Sequence, residues 1–138
     1  MAQRINLNRV RARLRNLGRD ILKDAAREAV NFSKESFRKQ GWTDNGLSPW
    51  KQRKTKNRSD KRTTAKRAIL VDTGALRRSI RVAAVTSLRA RVVAETVYAK
   101  RHNQGLASMP QRKFLGESRE QSVRFRKVIA KHFKGIFK

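Results

Sequence analysis

The sequence predicts an α+β fold: a long N-terminal helix, a small antiparallel sheet, short helices and a C-terminal helix. Three observations lead there. Leu7, Val10, Leu14, Leu17 and Ile21 recur at alternating spacings of three and four, the stripe of an amphipathic helix. Residues 81–87 and 89–95 are rich in β-branched side chains, and Val82, Ala84, Val92 and Ala94 alternate, or nearly so, with polar neighbours. Between them, Ile69 to Ile80 passes from an apolar run through a polar turn into a second short apolar pattern without a break.

The first helix is expected from about Ile5 to Arg38. Its stripe continues through Ala25, Ala29 and Phe32, and no proline interrupts it. Gly18 costs roughly 1 kcal/mol relative to alanine and marks a bend or break. A straight helix would span roughly 50 Å, more than a small domain needs, so part of it is expected to pack on a neighbouring subunit. The alternative is two helices bent at Gly18 within one monomer. The opposite face carries Arg4, Arg9, Arg11, Arg13, Arg15 and Arg19, with no acid before Asp20. Such a face is usually only solvated. At this density contact with a polyanion stands level with that reading, and Arg11 and Arg15 are its candidates for meeting DNA or an acidic partner.

Phe37 to Trp50 is rich in Gly, Asn, Asp and Pro, which ends the helix. Trp42 and Trp50 bracket this segment. They read first as anchors that dock it and second as contacts to a partner. Residues 51–67 carry nine Lys or Arg and one acid, Asp60, with no apolar periodicity. They predict a flexible basic loop. Lys51, Arg53, Lys54, Lys56, Arg58, Lys61, Arg62, Lys66 and Arg67 are candidates for contact with DNA or an acidic partner. Contacts of this kind position a phosphate backbone without reading its sequence.

Ile69 to Val71 is expected as a strand or extended lead-in to a structural turn built by Asp72, Thr73, Gly74, Leu76 and Ile80. Asp72 and Thr73 are short polar side chains that bond nearby backbone, and Gly74 tolerates conformations other residues resist. Leu76 and Ile80 lie four apart, on one face of a short helix. The two strands follow, joined at Ser87-Leu88. Val97 to Gly105 predicts a helical turn stopped by Gly105. Residues 106–110 are loop, and 112–116 a short strand or extended piece. From Glu117, Val123, Val128, Ile129, Phe133 and Ile136 suit a closing helix, with Phe125 near its flank. Lys131, Lys134 and Lys138 suit its C-terminus.

At 138 residues the chain suits a single domain over 1–138, with a modest core. No apolar run reaches the roughly 20 residues of a membrane span, so no membrane partner is expected. The N-terminus has no apolar segment of the secretory type. The absence of cysteine excludes disulfides, thiolate metal sites and cysteine nucleophiles. Charge is the strongest global signal: 36 basic against 10 acidic residues, a formal +26, which points to nucleic acid, another polyanion or an acidic protein surface.

No catalytic set emerges. The acids are dispersed, and His102 and His132 each stand alone without a metal-ligand cluster. Ser79 and Ser118 lack a nucleophile-elbow context. Gly74 is a lone glycine, not a phosphate-binding loop. The expectation is a protein that is not an enzyme, with no cofactor and no metal.

The order of segments is more telling than any one of them. A long helix leads to Gly41-Trp42 and Pro49-Trp50-Lys51, then to Leu70-Val71-Asp72-Thr73-Gly74-Ala75-Leu76-Arg77-Arg78-Ser79-Ile80. Tyr98-Ala99 with His102 and Gln104-Gly105 follows, then Arg112-Lys113-Phe114-Leu115-Gly116. This ordered set, over about Phe37 to Gly116, resembles the phage virion morphogenesis family, the tail-completion and head–tail joining proteins of tailed bacteriophages. The basic loop is longer and more charged than the family pattern. The resemblance implies a non-enzymatic structural protein of the virion, placed at the neck or head-proximal tail end and present in the host cytoplasm during assembly. It implies a homo-oligomeric ring that meets neck or connector proteins and tail-tube or tail-terminator proteins, with nonspecific contact to packaged DNA in reach. The rival class is a sequence-nonspecific basic nucleic-acid-binding protein.

Overall fold

The computed structural model describes residues 7–52 and 68–136 and has the α+β architecture. Helix α1, Leu7–Lys39, runs 33 residues without a break. Gly18 does not break it, so the reading as two helices is overturned. A β-carbon at Gly18 would lie 3.0 Å from the Ser87 carbonyl oxygen, so the missing side chain lets another backbone segment approach the helix. Burial along α1 is uneven. Its buried residues are Ala26, Ala29, Phe32, Ser33, Ser36 and Phe37, all in its second half. Leu7 and Leu14, from the first half of the stripe, are 65% and 50% exposed.

Gln40, in the left-handed region at φ 54°, turns the chain out of α1. Strands β1 (Gly41–Thr43) and β2 (Leu47–Pro49) then form a short antiparallel hairpin, with Trp42 opposite Ser48. The sequence showed only a turn here, because three-residue strands are too short to display alternation. The expected strand or extended lead-in at Ile69–Val71 is instead a turn: the Val71 N–H donates to the Ala68 carbonyl at 3.3 Å, and Leu70 sits at φ 59°.

Helix α2 (Ala75–Ser79) feeds directly into β3 (Ile80–Val85), which pairs antiparallel with β4 (Ala90–Ala94). Among the described residues there are thus two separate two-stranded sheets, not one. A bulge between Val82 and Ala84 breaks the alternation, leaving Val82 half-buried and Ala84 exposed. The β3–β4 connection spans residues 86–89, held by Thr86: its N–H donates to the Arg89 carbonyl at 2.8 Å and its Oγ1 accepts the Arg89 N–H at 3.1 Å. Helix α3 (Ala99–Gln104) ends at Gly105, left-handed at φ 71°. Helix α4 (Arg119–Ile136) closes the described chain, and residues 112–116 carry no strand.

The core sits at the C-terminal end of α1. Phe37, Trp50, Ile69, Leu76, Ile80, Ala99 and Phe114 pack together, drawn from almost every segment of the chain. Phe37 meets Trp50 edge-on at 5.4 Å between ring centroids and Phe114 at 5.3 Å. Each fully buried side chain of this size contributes roughly 1.5–3 kcal/mol.

Helix α4 packs antiparallel on α1, and polar contacts tie the two along their length. Arg124 pairs with Glu28 and Glu35, His132 Nε2 lies 2.9 Å from Asp24 Oδ2, and Arg13 donates to the Gly135 carbonyl at 3.2 Å. Phe125 and Val128 are half-buried, but Val123, Ile129 and Phe133 are exposed.

Candidate functional site

The three segments behind the family resemblance meet at one cleft. Its volume is about 400 Å³, and it is lined by the run from Ile69 to Leu76 together with Tyr98, His102 and Arg112. Residues 70–76 lie more than 20 positions before 98–105 and 112–116, and the fold brings the three segments together. The way it does so is legible atom by atom.

On the first side stands the turn. Thr73 Oγ1 accepts the Ala75 N–H at 3.3 Å, and Gly74, at φ 76° and ψ 7°, precedes α2. Arg78 Nη1 reaches back to the Thr73 carbonyl at 2.9 Å, and Ser79 Oγ donates to the Leu76 carbonyl at 2.8 Å. Asp72 lies exposed at the mouth. Leu76 and Ile80 are 2% and 1% exposed, so both turn into the core.

Two side-chain amides then act as substitutes for a strand partner. Gln40 Nε2 donates to the Phe37 carbonyl at 2.6 Å and the Ile69 carbonyl at 3.3 Å, while its Oε1 accepts the Ile69 N–H. Gln40 therefore ties the end of α1 to the start of the turn segment. Asn103 does the same on the far side. Its Oδ1 accepts the Phe114 and Leu115 N–H groups at 2.9 and 3.0 Å, and its Nδ2 donates to the Leu115 carbonyl at 2.9 Å. Sequence reasoning assigned neither amide a role. The signal was weak: Gln40 precedes a glycine at a helix end, and Asn103 sits inside a motif, but their partners lie 29 and up to 12 positions away.

Arg112 is buried, and its Nε and Nη2 donate to the Lys51 carbonyl at 3.1 and 2.9 Å. Its own N–H donates to the His102 carbonyl at 2.8 Å. His102 stacks edge-on against Tyr98 at 6.0 Å. Burial first, and the neighbouring Arg112 guanidinium second, hold the His102 imidazole below its ordinary pKa, so it favours the neutral form. The bonds described here join backbone segments to one another.

Trp42 and Trp50, read first as packing anchors and second as partner contacts, are buried, at 7% and 4% exposed. Trp42 packs edge-on against Phe32 at 5.3 Å with the Lys113 ammonium 4.7 Å from its ring centroid. Trp50 Nε1 donates to the Lys113 carbonyl at 2.8 Å. Of the basic candidates, Arg11 and Arg15 are exposed on the first half of α1, and Lys51 is exposed beside the cleft. Arg53, Lys54, Lys56, Arg58, Lys61, Arg62, Lys66 and Arg67 lie outside the described residues. So the structure gathers the turn residues, the two tryptophans and Lys51 around the core, and sets Arg11 and Arg15 apart from them.

Among the described residues no group of His, Cys, Asp and Glu is arranged to hold a metal ion, and no helix is long and apolar enough to cross a membrane. A family model for the phage virion morphogenesis family matches residues 3–134, nearly the whole chain. No curated protein and no solved structure matches it.

Proposed function

The chain belongs to the phage virion morphogenesis family, and we propose that within it the chain is a non-enzymatic structural subunit for tail completion or head–tail joining in a tailed bacteriophage or prophage. A role in building a phage virion follows from the family itself. The finer placement, at the neck or the head-proximal tail end, is our reading. One observation carries it: the residues of the family motifs hold the core together, while apolar and basic side chains on the two long helices stand exposed. Thr73, Asn103 and Arg112 bond backbone, whereas Leu7, Leu14, Ile129 and Phe133 lie on the surface. That division suits a subunit whose work is contact with other proteins.

In this reading copies of the chain form a ring that meets a neck or connector protein on one side and a tail-tube or tail-terminator protein on the other. Each copy adds a formal +26, and self-repulsion of that size opposes closure. Ring closure is therefore coupled to neutralisation, by packaged DNA or by an acidic neck or tail protein. Gold-labelled antibody on purified virions tests the placement: label at the head–tail joint is expected, and label on the capsid shell or the distal tail would overturn it. Light-scattering mass against salt and added DNA tests the coupling, and a ring already stable at low salt without polyanion would remove it.

The +26 charge also favours a second reading, in which nucleic acid itself is the target. Affinity for duplex DNA would then fall with salt at a log–log slope of about −0.9 per phosphate neutralised, with little sequence preference. Binding of that kind by a protein absent from the virion would select this reading.

A further inference from the structure

We propose that the face shared by the first half of α1, the second half of α4 and the β3–β4 turn docks an acidic amphipathic helix of a partner protein. The face can be located from one contact. His132 Nε2 meets Asp24 Oδ2 at 2.9 Å, which fixes the facing positions of the two helices. An antiparallel pair has a local two-fold axis perpendicular to its plane, so equal offsets from that contact fall on the same side. Ile21 and Ile129 each lie three residues before it and share a side. Leu14, seven before Ile21, and Phe133, four after Ile129, extend the two stripes along that side.

The β3–β4 turn lies on the same side. Gly18 lies four after Leu14 and three before Ile21, so it is on the same side of α1, and its α-carbon comes close to the Ser87 carbonyl. Leu88, next in the chain, is 89% exposed. Leu14 and Ile21 thus run on into Phe133 and Ile129, which the antiparallel register sets level with positions 23 and 27 of α1, and Leu88 stands beside this apolar stripe at Gly18. Leu14, Ile129 and Phe133 are 50%, 40% and 48% exposed. From Leu7 to Ile21 the stripe runs about 20 Å at 1.5 Å per residue, the length of roughly four helical turns.

Charge selects the occupant. The rim is basic: Arg11 and Arg15 beside Leu14, Arg89 beside Leu88, and Arg126 one helical turn before Ile129, all exposed. The acids of the two helices are turned elsewhere. Asp20 lines the opposite cleft with Lys131, Asp24 meets His132, and Glu28, Glu35 and Glu120 surround Arg124. A second copy would bring the same arginine rim against this one, a like-charge juxtaposition. DNA would satisfy the arginines but leave the apolar stripe without a partner. A helix with an apolar stripe at three- and four-residue spacing and acidic flanks satisfies both.

The test uses the full chain and a fluorescein-labelled synthetic helix of about 18 residues, with Leu at three- and four-residue spacing and Glu on both flanks. One control replaces every Glu with Lys, and another keeps the composition but scrambles the stripe. Fluorescence anisotropy is expected to show the acidic peptide binding about tenfold or more tighter than either control at about 0.15 M salt. Phe133→Ser and Ile129→Ser are each expected to weaken it about tenfold while the circular dichroism spectrum stays that of the folded chain, with the thermal midpoint lowered only modestly because both side chains are about half exposed. Equal binding of the basic peptide, no binding of the acidic one, or binding untouched by both substitutions would overturn the proposal. So would displacement of the peptide by duplex DNA, or sedimentation showing that the same substitutions abolish self-association. None of these readouts depends on where in the particle the protein sits, so failure here leaves the joining role standing.

Discussion

Arg124 of α4 holds Glu35 of α1 in a two-pronged pair, Nη1 to Oε1 at 3.0 Å and Nη2 to Oε2 at 2.9 Å. The same Nη1 donates to Glu28 at 3.1 Å, Nε reaches Glu120 at 3.5 Å, and the guanidinium carbon stands 5.0 Å from the Phe32 ring centroid. One arginine therefore joins three acids and an aromatic face across the two long helices. The planar fork is what makes this arrangement available, and an ammonium group cannot reproduce it. Arg124→Met is expected to cost about 1–3 kcal/mol in urea denaturation, since the acids it leaves are only partly exposed. Arg124→Lys should recover less than half of that loss.

The same pair sets an acid limit. Hydrogen bonding to Arg124 is the largest cause holding the Glu35 carboxyl below its ordinary pKa of 4.5, opposed by burial and aided by the Arg124 charge and Lys39. A carboxylate whose folded pKa is depressed adds stability above its unfolded pKa and loses it as pH falls. Urea midpoints are therefore expected to drop as pH falls from about 4.5 through the lower folded value, and this part of the drop should vanish in Glu35→Gln.

His102 gives a second, separate arm. Its folded pKa is depressed below 6.5, first by burial and then by Arg112. Below 6.5 the unfolded chain takes up the proton more readily than the folded one, so stability is expected to fall as pH drops from about 6.5 through the folded value. His102→Gln should remove this part of the drop below pH 6.5 while leaving the Glu35 arm in place.

Gly74 and Gly105 should respond differently to alanine. Both sit at positive φ, 76° and 71°, where an L side chain costs about 1–2 kcal/mol. A β-carbon at Gly74 would meet only the flexible tip of Arg78, at 3.0 Å. At Gly105 it would meet the Gln111 backbone nitrogen at 2.9 Å, which cannot swing away. Gly105→Ala is therefore expected to lower the thermal midpoint clearly more than Gly74→Ala.

Asn103→Ala should be the costliest polar substitution near the cleft. It removes the partner of two backbone N–H groups and one carbonyl, and unpaired buried groups cost about 1–3 kcal/mol each. Asn103→Asp keeps the two acceptor bonds and loses only the donor, so its midpoint should fall between that of alanine and the native protein.

Much of the fold was legible because its signals are local. The three- and four-residue spacing from Leu7 to Ile21 announced α1, Gly105 announced the end of α3, and β-branched residues announced β3 and β4. What was missed depended on distant partners. Gly18 read as a weak point because nothing local says that Ser87 will press against it. Ile69 to Val71 read as a strand or extended lead-in, because nothing local says that the amide of Gln40, not a neighbouring strand, takes the Ile69 backbone groups. The closing helix was legible from its apolar spacing but its orientation was not: Arg124 and His132 orient it and leave Ile129 and Phe133 outside. The tryptophans were legible as packing anchors, since large aromatics in a glycine-rich turn have few other ways to be buried. The docking face was not legible, because it needs the relative rotation of two helices.

The most direct measurement of the joining role is electron microscopy of lysates from a tailed phage or prophage in which this gene is inactivated, with the intact gene supplied in trans as control. Filled heads and separate tails that fail to join, or tails of abnormal end structure, are expected, with joined particles restored by complementation. Normal numbers of joined, infectious particles without the protein would contradict the account.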